Sequence, residues 1–142
     1  MNIETNSNMI EEDYVSFETA KLLKEKGFKC EKNSVTAMYN EIGKFLSLST
    51  ATDEYYGYSD FDEYDYVAPT LQMAMKWLRN QHNFHIMVDC IGSKNYMPTI
   101  QFICNSKDIK VESDKNKIGG RGFDSFEDAC EAAIKYCLEN LI

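Results

Sequence analysis

The chain has 142 residues, 44% hydrophobic and 13% aromatic, which supplies one core of single-domain size and excludes disorder along its whole length. Its formal charge of −8, with 23 carboxylates against 15 cations, argues against sequence-independent nucleic-acid binding, whose affinity comes from Lys and Arg neutralising phosphates. The same balance suits a partner with a basic surface. No stretch approaches the ~18 apolar residues of a membrane span. Met1 to Val15 hold Glu4, Glu11, Glu12 and Asp13 and no apolar signal core. The five cysteines (Cys30, Cys90, Cys104, Cys130, Cys137) are odd in number and contain no CxxC pair, unlike a disulfide framework. A cytoplasmic setting is expected.

Residues 1–13 read as a flexible acidic leader and residues 14–142 as a single α+β domain. The first helix is announced by Ser16, whose hydroxyl can cap the first turn, and by Glu18 near the positive end of the helix dipole. Phe17, Ala20 and Leu23 form its apolar stripe. Gly27 offers the left-handed stop, with Phe28 folding back on Leu23. Ser34 to Tyr39 and Lys44 to Ser49 read as two short strands around Asn40-Glu41-Ile42-Gly43. Their alternation is broken, since Phe45 and the pair Leu46 and Leu48 are offset by one, and a short helix over Tyr39 to Leu46 competes.

Residues 51–67 hold Asp53, Glu54, Asp60, Asp62, Glu63 and Asp65 interleaved with Tyr55, Tyr56, Tyr58, Phe61, Tyr64 and Tyr66, and no lysine or arginine. Neither a helical nor a strand period fits, so a long loop is predicted. Loops of that length inside a compact domain are often functional or disordered.

Pro69 opens a second helix at a position where its missing N–H does no harm, with Leu71, Ala74, Met75 and Leu78 on one face. A hairpin follows: Phe84, Ile86, Val88 and Cys90 alternate with polar neighbours, Gly92-Ser93-Lys94-Asn95 turns, and Ile100, Phe102 and Cys104 line the return strand. Pro98 suggests an edge position or an irregular entry. Asp108 to Glu112 is read as a third strand, and residues 113–124 as a polar loop. The closing helix starts at Asp124 or Ser125 and presents Phe126, Ala129, Cys130, Ala133, Cys137, Leu138 and Leu141 on one face. The predicted architecture is three helices packed on antiparallel strands, in the order αββ–loop–αβββα.

The run Phe17-Glu18-Thr19-Ala20-Lys21-Leu22-Leu23-Lys24-Glu25-Lys26-Gly27-Phe28 resembles the opening of a group of uncharacterised small proteins from phages and mobile elements of gut Bacteroidota. Pro69-Thr70 with Lys76-Trp77-Leu78-Arg79, the histidine-bearing strand after it and the Glu127-Asp128-Ala129 helix resemble that group in the same order. The resemblance implies a setting and carries no functional residues. The acidic tyrosine stretch lies outside it.

The chemical constellations are sparse. His82, His85 and Cys90 give H-x2-H-x4-C, short of the four ligands of a structural zinc site, and His85 and Cys90 fall on opposite faces of one strand. They read as a helix-end residue and ordinary strand residues, with Cys90, Cys130 and Cys137 buried as small hydrophobes. Gly119-Gly120-Arg121-Gly122 follows a polar loop, where a phosphate cradle follows a buried strand, so it reads as a turn. Helix, three strands and helix over residues 69–141 is the order of a double-stranded-RNA-binding domain. Such domains place lysines at the start of the last helix, where this chain has Asp124, Glu127 and Asp128. No catalytic group, metal or cofactor is expected.

What remains is the loop. Tyrosine offers large amphipathic contact area at low entropy cost, and adjacent carboxylates steer a basic partner. The expected site is therefore Tyr55, Tyr56, Tyr58, Phe61, Tyr64 and Tyr66, and the expected function is non-catalytic binding of another protein with a basic surface. The alternatives are a sequestering protein for a small ligand or nucleotide, which needs a pocket with convergent aromatic and cationic groups, an unrecognised enzyme, which needs a cleft containing Cys90 or His85 with a polar partner, and a double-stranded-RNA-binding-like protein or one imitating DNA phosphates.

Overall fold

The computed structural model describes residues 10–30, 34–50, 66–113 and 122–142. It has the α+β fold that the sequence predicts, with one strand more. The elements are α1 (Phe17–Glu25), β1 (Val35–Tyr39), β2 (Phe45–Thr50), β3 (Tyr66–Ala68), α2 (Leu71–His82), β4 (Phe84–Gly92), β5 (Asn95–Phe102), β6 (Asp108–Lys110) and α3 (Phe126–Tyr136). Two three-stranded antiparallel sheets result, ordered β2-β1-β3 and β4-β5-β6. No described helix is long and apolar enough to cross a membrane.

Helix α1 starts and stops as its sequence dictates. Ser16 is extended, and its hydroxyl accepts from the Thr19 backbone N–H. At the other end Gly27 takes φ +84°, the Phe28 N–H donates to Leu23 and the Gly27 N–H to Lys24. That paired stop is the Schellman arrangement, available to Gly27 because no side chain opposes a left-handed backbone. Phe28 is buried as a result.

Helix α2 begins two residues later than Pro69 suggests. Thr70 is the cap, its hydroxyl accepting from Met73, and Leu71 is the first helical residue. Pro69 stands buried before the cap, where its carbonyl accepts from Val15. The helix ends at Asn83, which adopts φ +60°. Cap Ser125 starts α3 with its hydroxyl accepting from Asp128. After Tyr136 the helix widens into a π-helical turn, Cys137–Leu141. Phe126 points away from the core and is 39% exposed.

In the second sheet β5 is the middle strand, so Pro98 is not at an edge. Its carbonyl accepts from Val111, just past the end of β6, while Val88 lies opposite on β4. An extended residue turns its N and C=O to the same neighbour. The missing donor of Pro98 therefore faces the side that β6 has already left, and the β4 ladder is intact. Strand β5 ends at Phe102; Cys104, two residues on, is exposed in the following turn. Phe123 pairs with Tyr96 through both backbone bonds, each 2.8 Å.

Helices α2 and α3 pack on this sheet and on each other, and α1 packs on β3 and on α3. The buried face of α3 is built from small side chains (Ala129, Cys130, Ala133, Cys137), with Ile134 and Leu138 filling the remaining space. Small residues allow that many elements to approach one helix. A single apolar cluster joins Leu23, Met38 and Val67 to Leu78, Ile100 and Ile134.

The α1–α3 contact also has a polar clasp. Glu131 Oε1 accepts from the Ser16 backbone N–H at 2.9 Å and from the buried Thr19 hydroxyl at 2.7 Å. Lys135 Nζ donates to Glu18 at 2.8 Å. That ion pair lowers the Glu18 carboxyl below its usual range and raises Lys135, but both side chains are exposed and the pair contributes little to stability. Glu131 is different, because removing it strands a buried hydroxyl and a helix-start N–H. Glu131→Ala is expected to cost about 2 kcal/mol in urea denaturation. Glu131→Gln, which keeps an acceptor, is expected to lose less than half as much.

Candidate functional site

The hairpin of β1 and β2 turns through Asn40, whose side-chain oxygen accepts from Ile42 and Lys44. Gly43 in this turn takes φ +85°, and a Cβ there would meet the Phe17 ring at 2.9 Å. Opposing residues are Ala37 and Leu48, Met38 and Ser47, then Tyr39 and Phe45. Leu46 is thus an extra residue on β2, a bulge. It accounts for the one-residue offset visible in the sequence, and no helix forms over Tyr39 to Leu46.

Because strand side chains alternate, Val35, Ala37 and Tyr39 share a face with Leu48 and Phe45. At one end of that face sits an aromatic cluster. Phe17 meets Tyr66 edge-on at 5.4 Å and Tyr39 at 6.0 Å, and Tyr39 meets Phe45 at 6.0 Å. Two α1 cations lie over it, Lys21 above Phe17 at 5.4 Å and Lys24 above Tyr66 at 4.8 Å. On β2 and at the start of β1, beyond the reach of β3, the face opens to solvent: Phe45 is 53% exposed, Leu48 56% and Val35 45%. Leu46 and Ile42 are exposed beside them. Five large apolar side chains from one hairpin make a patch, which is the informative kind of surface exposure. Its signal in the sequence was the charge-free run Phe45-Leu46-Ser47-Leu48-Ser49-Thr50.

The expected tyrosine site divides. Tyr55, Tyr56, Tyr58, Phe61 and Tyr64 lie outside the described residues. Tyr66 and Val67, read from the sequence as the end of the loop, belong instead to β3, which pairs with β1. Tyr66 is half-buried, its ring engaged with Phe17 and Lys24. It anchors the fold where the acidic stretch ends. β2 and β3 both run antiparallel to β1 on its opposite sides, so residues 51–65 join the Thr50 end of the sheet to its Tyr39 end.

The histidines and cysteines do not converge. His82 ends α2 with its ring 4.7 Å from Trp77 and stacked at 6.4 Å on Phe84. His85 and Cys90 occupy opposite faces of β4, opposite Gln101 and Tyr96. Cys90 is exposed, contrary to the expectation of burial, because it lies where β4 runs out beyond the helices; its thiol donates to the Gly92 carbonyl at 3.4 Å. Among the described residues no group of three or more His, Cys, Asp or Glu is placed to hold a metal ion.

The ligand reading requires a hollow where aromatic and cationic groups converge. Phe28, Trp77, Lys29 and Lys76 do converge between the end of α1 and α2, around a space of about 140 Å³. Pockets for drug-sized or nucleotide-sized ligands run from about 300 Å³. A larger hollow of about 350 Å³ lies at the start of α3, but Asp124, Asp128 and Glu131 line it, a repellent setting for a phosphate. The same carboxylates oppose the RNA reading. Segments α2 to α3 do form helix, three-stranded antiparallel sheet and helix, yet the turn that would face a phosphate groove is acidic. Of the glycine-rich run only Gly122 is described, packed against Asn95 and the Tyr96 backbone.

Compared with protein-family models, curated proteins and solved structures, the chain matches none.

Burial raises the Cys130 and Cys137 thiols to about 12. In native protein at neutral pH, a thiol reagent is expected to label Cys90 and Cys104 within minutes and Cys30, Cys130 and Cys137 only on unfolding, as peptide mapping would show. Burial also lowers the His82 imidazole from its ordinary 6.5. The unfolded chain then takes up the proton first, so the stability held by neutral His82 is present above that ordinary value and is lost as pH falls through the lowered one. Thermal melts are expected to show stability falling as pH drops below the ordinary imidazole value of 6.5, with part of the slope removed in His82→Gln.

Proposed function

We propose that the protein is a non-catalytic intracellular binding protein, an accessory of a phage or mobile element, that engages another protein with a basic surface. The acidic, tyrosine-rich stretch and the apolar edge of the first sheet together form the contact. One observation carries this reading: the exposed, charge-free strand β2 runs directly into residues 51–65, which hold six acids, five aromatics and no cation. The two parts have complementary roles. Carboxylates steer encounter and set specificity. Exposed Phe45 and Leu48, with the tyrosines, supply the apolar and aromatic area from which interface hot spots are made. The mobile-element setting rests on the resemblance of α1, α2 and α3 to phage-borne proteins.

The test is capture of the partner from the native cells on tagged protein, identified by mass spectrometry. A variant with Tyr55, Tyr56, Tyr58, Phe61 and Tyr64 all changed to Ala is expected to lose a stoichiometric partner while keeping its melting temperature. Tyr66 is left intact because β3 needs it. Undiminished capture by that variant would overturn the reading.

A further inference from the structure

We infer that the hollow between the end of α1 and α2 binds a small aromatic carboxylate, a single benzene-sized ring bearing one anionic group. This is a site separate from the protein-binding surface proposed above, and none of its lining residues belongs to that surface.

Its walls follow from two local features. The left-handed stop at Gly27 turns the chain so that Phe28 folds inward, 2% exposed, and the next residue, Lys29, stays at the surface. On α2, Met73, Lys76, Trp77 and Asn80 recur at the three- and four-residue spacing of one helix face. The Phe28 and Trp77 rings meet edge-on at 5.5 Å. Together these side chains border a space of about 140 Å³. Its floor and rim differ in chemistry. Phe28 is buried and Met73 and Trp77 are half-buried, whereas Lys29, Lys76 and Asn80 are exposed. An apolar floor with a few polar groups at its mouth is the make-up of a small-molecule site.

Size and charge select the occupant. A cavity of about 150 Å³ accommodates one benzene, so a single ring fits where a nucleotide does not. The sign of the charge is set by contrast within an acidic chain. Hollows beside α3 are lined by Asp124, Asp128 and Glu131, or by Glu112 and Glu139 with Lys135; this one is lined by two lysines and no carboxylate. Both lysines also engage other groups, but an ammonium has three donors and can hold a ligand oxygen as well. Arg79 in the last turn of α2 counters the negative end of the helix dipole nearby. The ring therefore lies inward against Trp77 and Met73, with its carboxylate at the rim among Lys29, Lys76 and the Asn80 amide.

Trp77 is the only tryptophan in the chain, so its emission reports on this hollow. Benzoate titrated into the full chain is expected to change that emission saturably, with a dissociation constant of about 1 mM. Benzyl alcohol and benzylamine, the same ring in neutral and cationic form, are expected to bind at least about tenfold more weakly. Changing Lys29 and Lys76 together to Met keeps their apolar stems and removes both charges. That variant is expected to bind benzoate about tenfold more weakly at unchanged melting temperature, and benzyl alcohol as before. In NMR spectra benzoate is expected to shift the Trp77 indole and Asn80 amide signals first. No saturable response at ten times the expected constant, equal binding of the three probes, or shifts centred elsewhere in the molecule would each overturn the site. Undiminished benzoate binding by a folded lysine variant would do the same. Should that variant melt early, the three probes on the unaltered chain decide the matter alone.

Discussion

The first turn of a helix leaves backbone donors without partners in the helix itself. In α1 this demand is met partly by Ser16 and partly from far along the chain, by a carboxylate on α3. Glu131 accepts from Ser16 and Thr19 across separations of 115 and 112 residues. A negative group at the start of α1 also opposes the positive end of its dipole. Much else depends on this contact. α1 carries Phe17, Phe17 packs on Tyr39 and Tyr66, and those two rings flank the central and third strands of the first sheet. The first sheet is therefore joined to the helical layer through Phe17 on α1 as well as through the shared apolar core.

The second sheet needs no such help. Its strands follow one another as a meander closed by two helices, and its turns use left-handed backbone at Asn83, Lys94 and Ser106. The molecule thus combines a locally connected half with a half held by distant contacts. The candidate surface lies on the latter, at the rim of its sheet, and adjoins the aromatic cluster by which α1 packs on that sheet.

Local physics was legible in the sequence; distant pairing was not. Ser16, Ser125 and Gly27 act where their chemistry places them, because caps and left-handed stops involve neighbours within a few residues. β3 was hidden, since three residues at the end of an acidic run have no period to display and are fixed only by pairing with β1. Pro98 misled because its exemption depends on where β6 ends. Cys90 misled because alternation continues past the point where helices cover the strand. The candidate site was half legible. The acids and tyrosines were plain from composition, whereas the exposure of Phe45 and Leu48 needed the knowledge that β2 stands at an edge. Nothing in the residues around Glu131 marks it as the anchor of a helix more than a hundred residues earlier.

That distance has a consequence in time. Ribosomes add about 5–20 residues per second, so the 115 residues between Ser16 and Glu131 take roughly 6–23 s to make. The β1–β2 hairpin is complete only at Thr50, 81 residues before Glu131, so for about 4–16 s of that interval both it and α1 have been made while the carboxylate that anchors α1 does not yet exist. A hairpin forms in microseconds but is only marginally stable alone, so the apolar residues of β2 spend seconds without the later elements that complete the first sheet and the core. The chain thus makes the apolar strand β2 well before the helix that anchors α1, which makes the period of its own synthesis the time when a chaperone has the greatest effect on its fate.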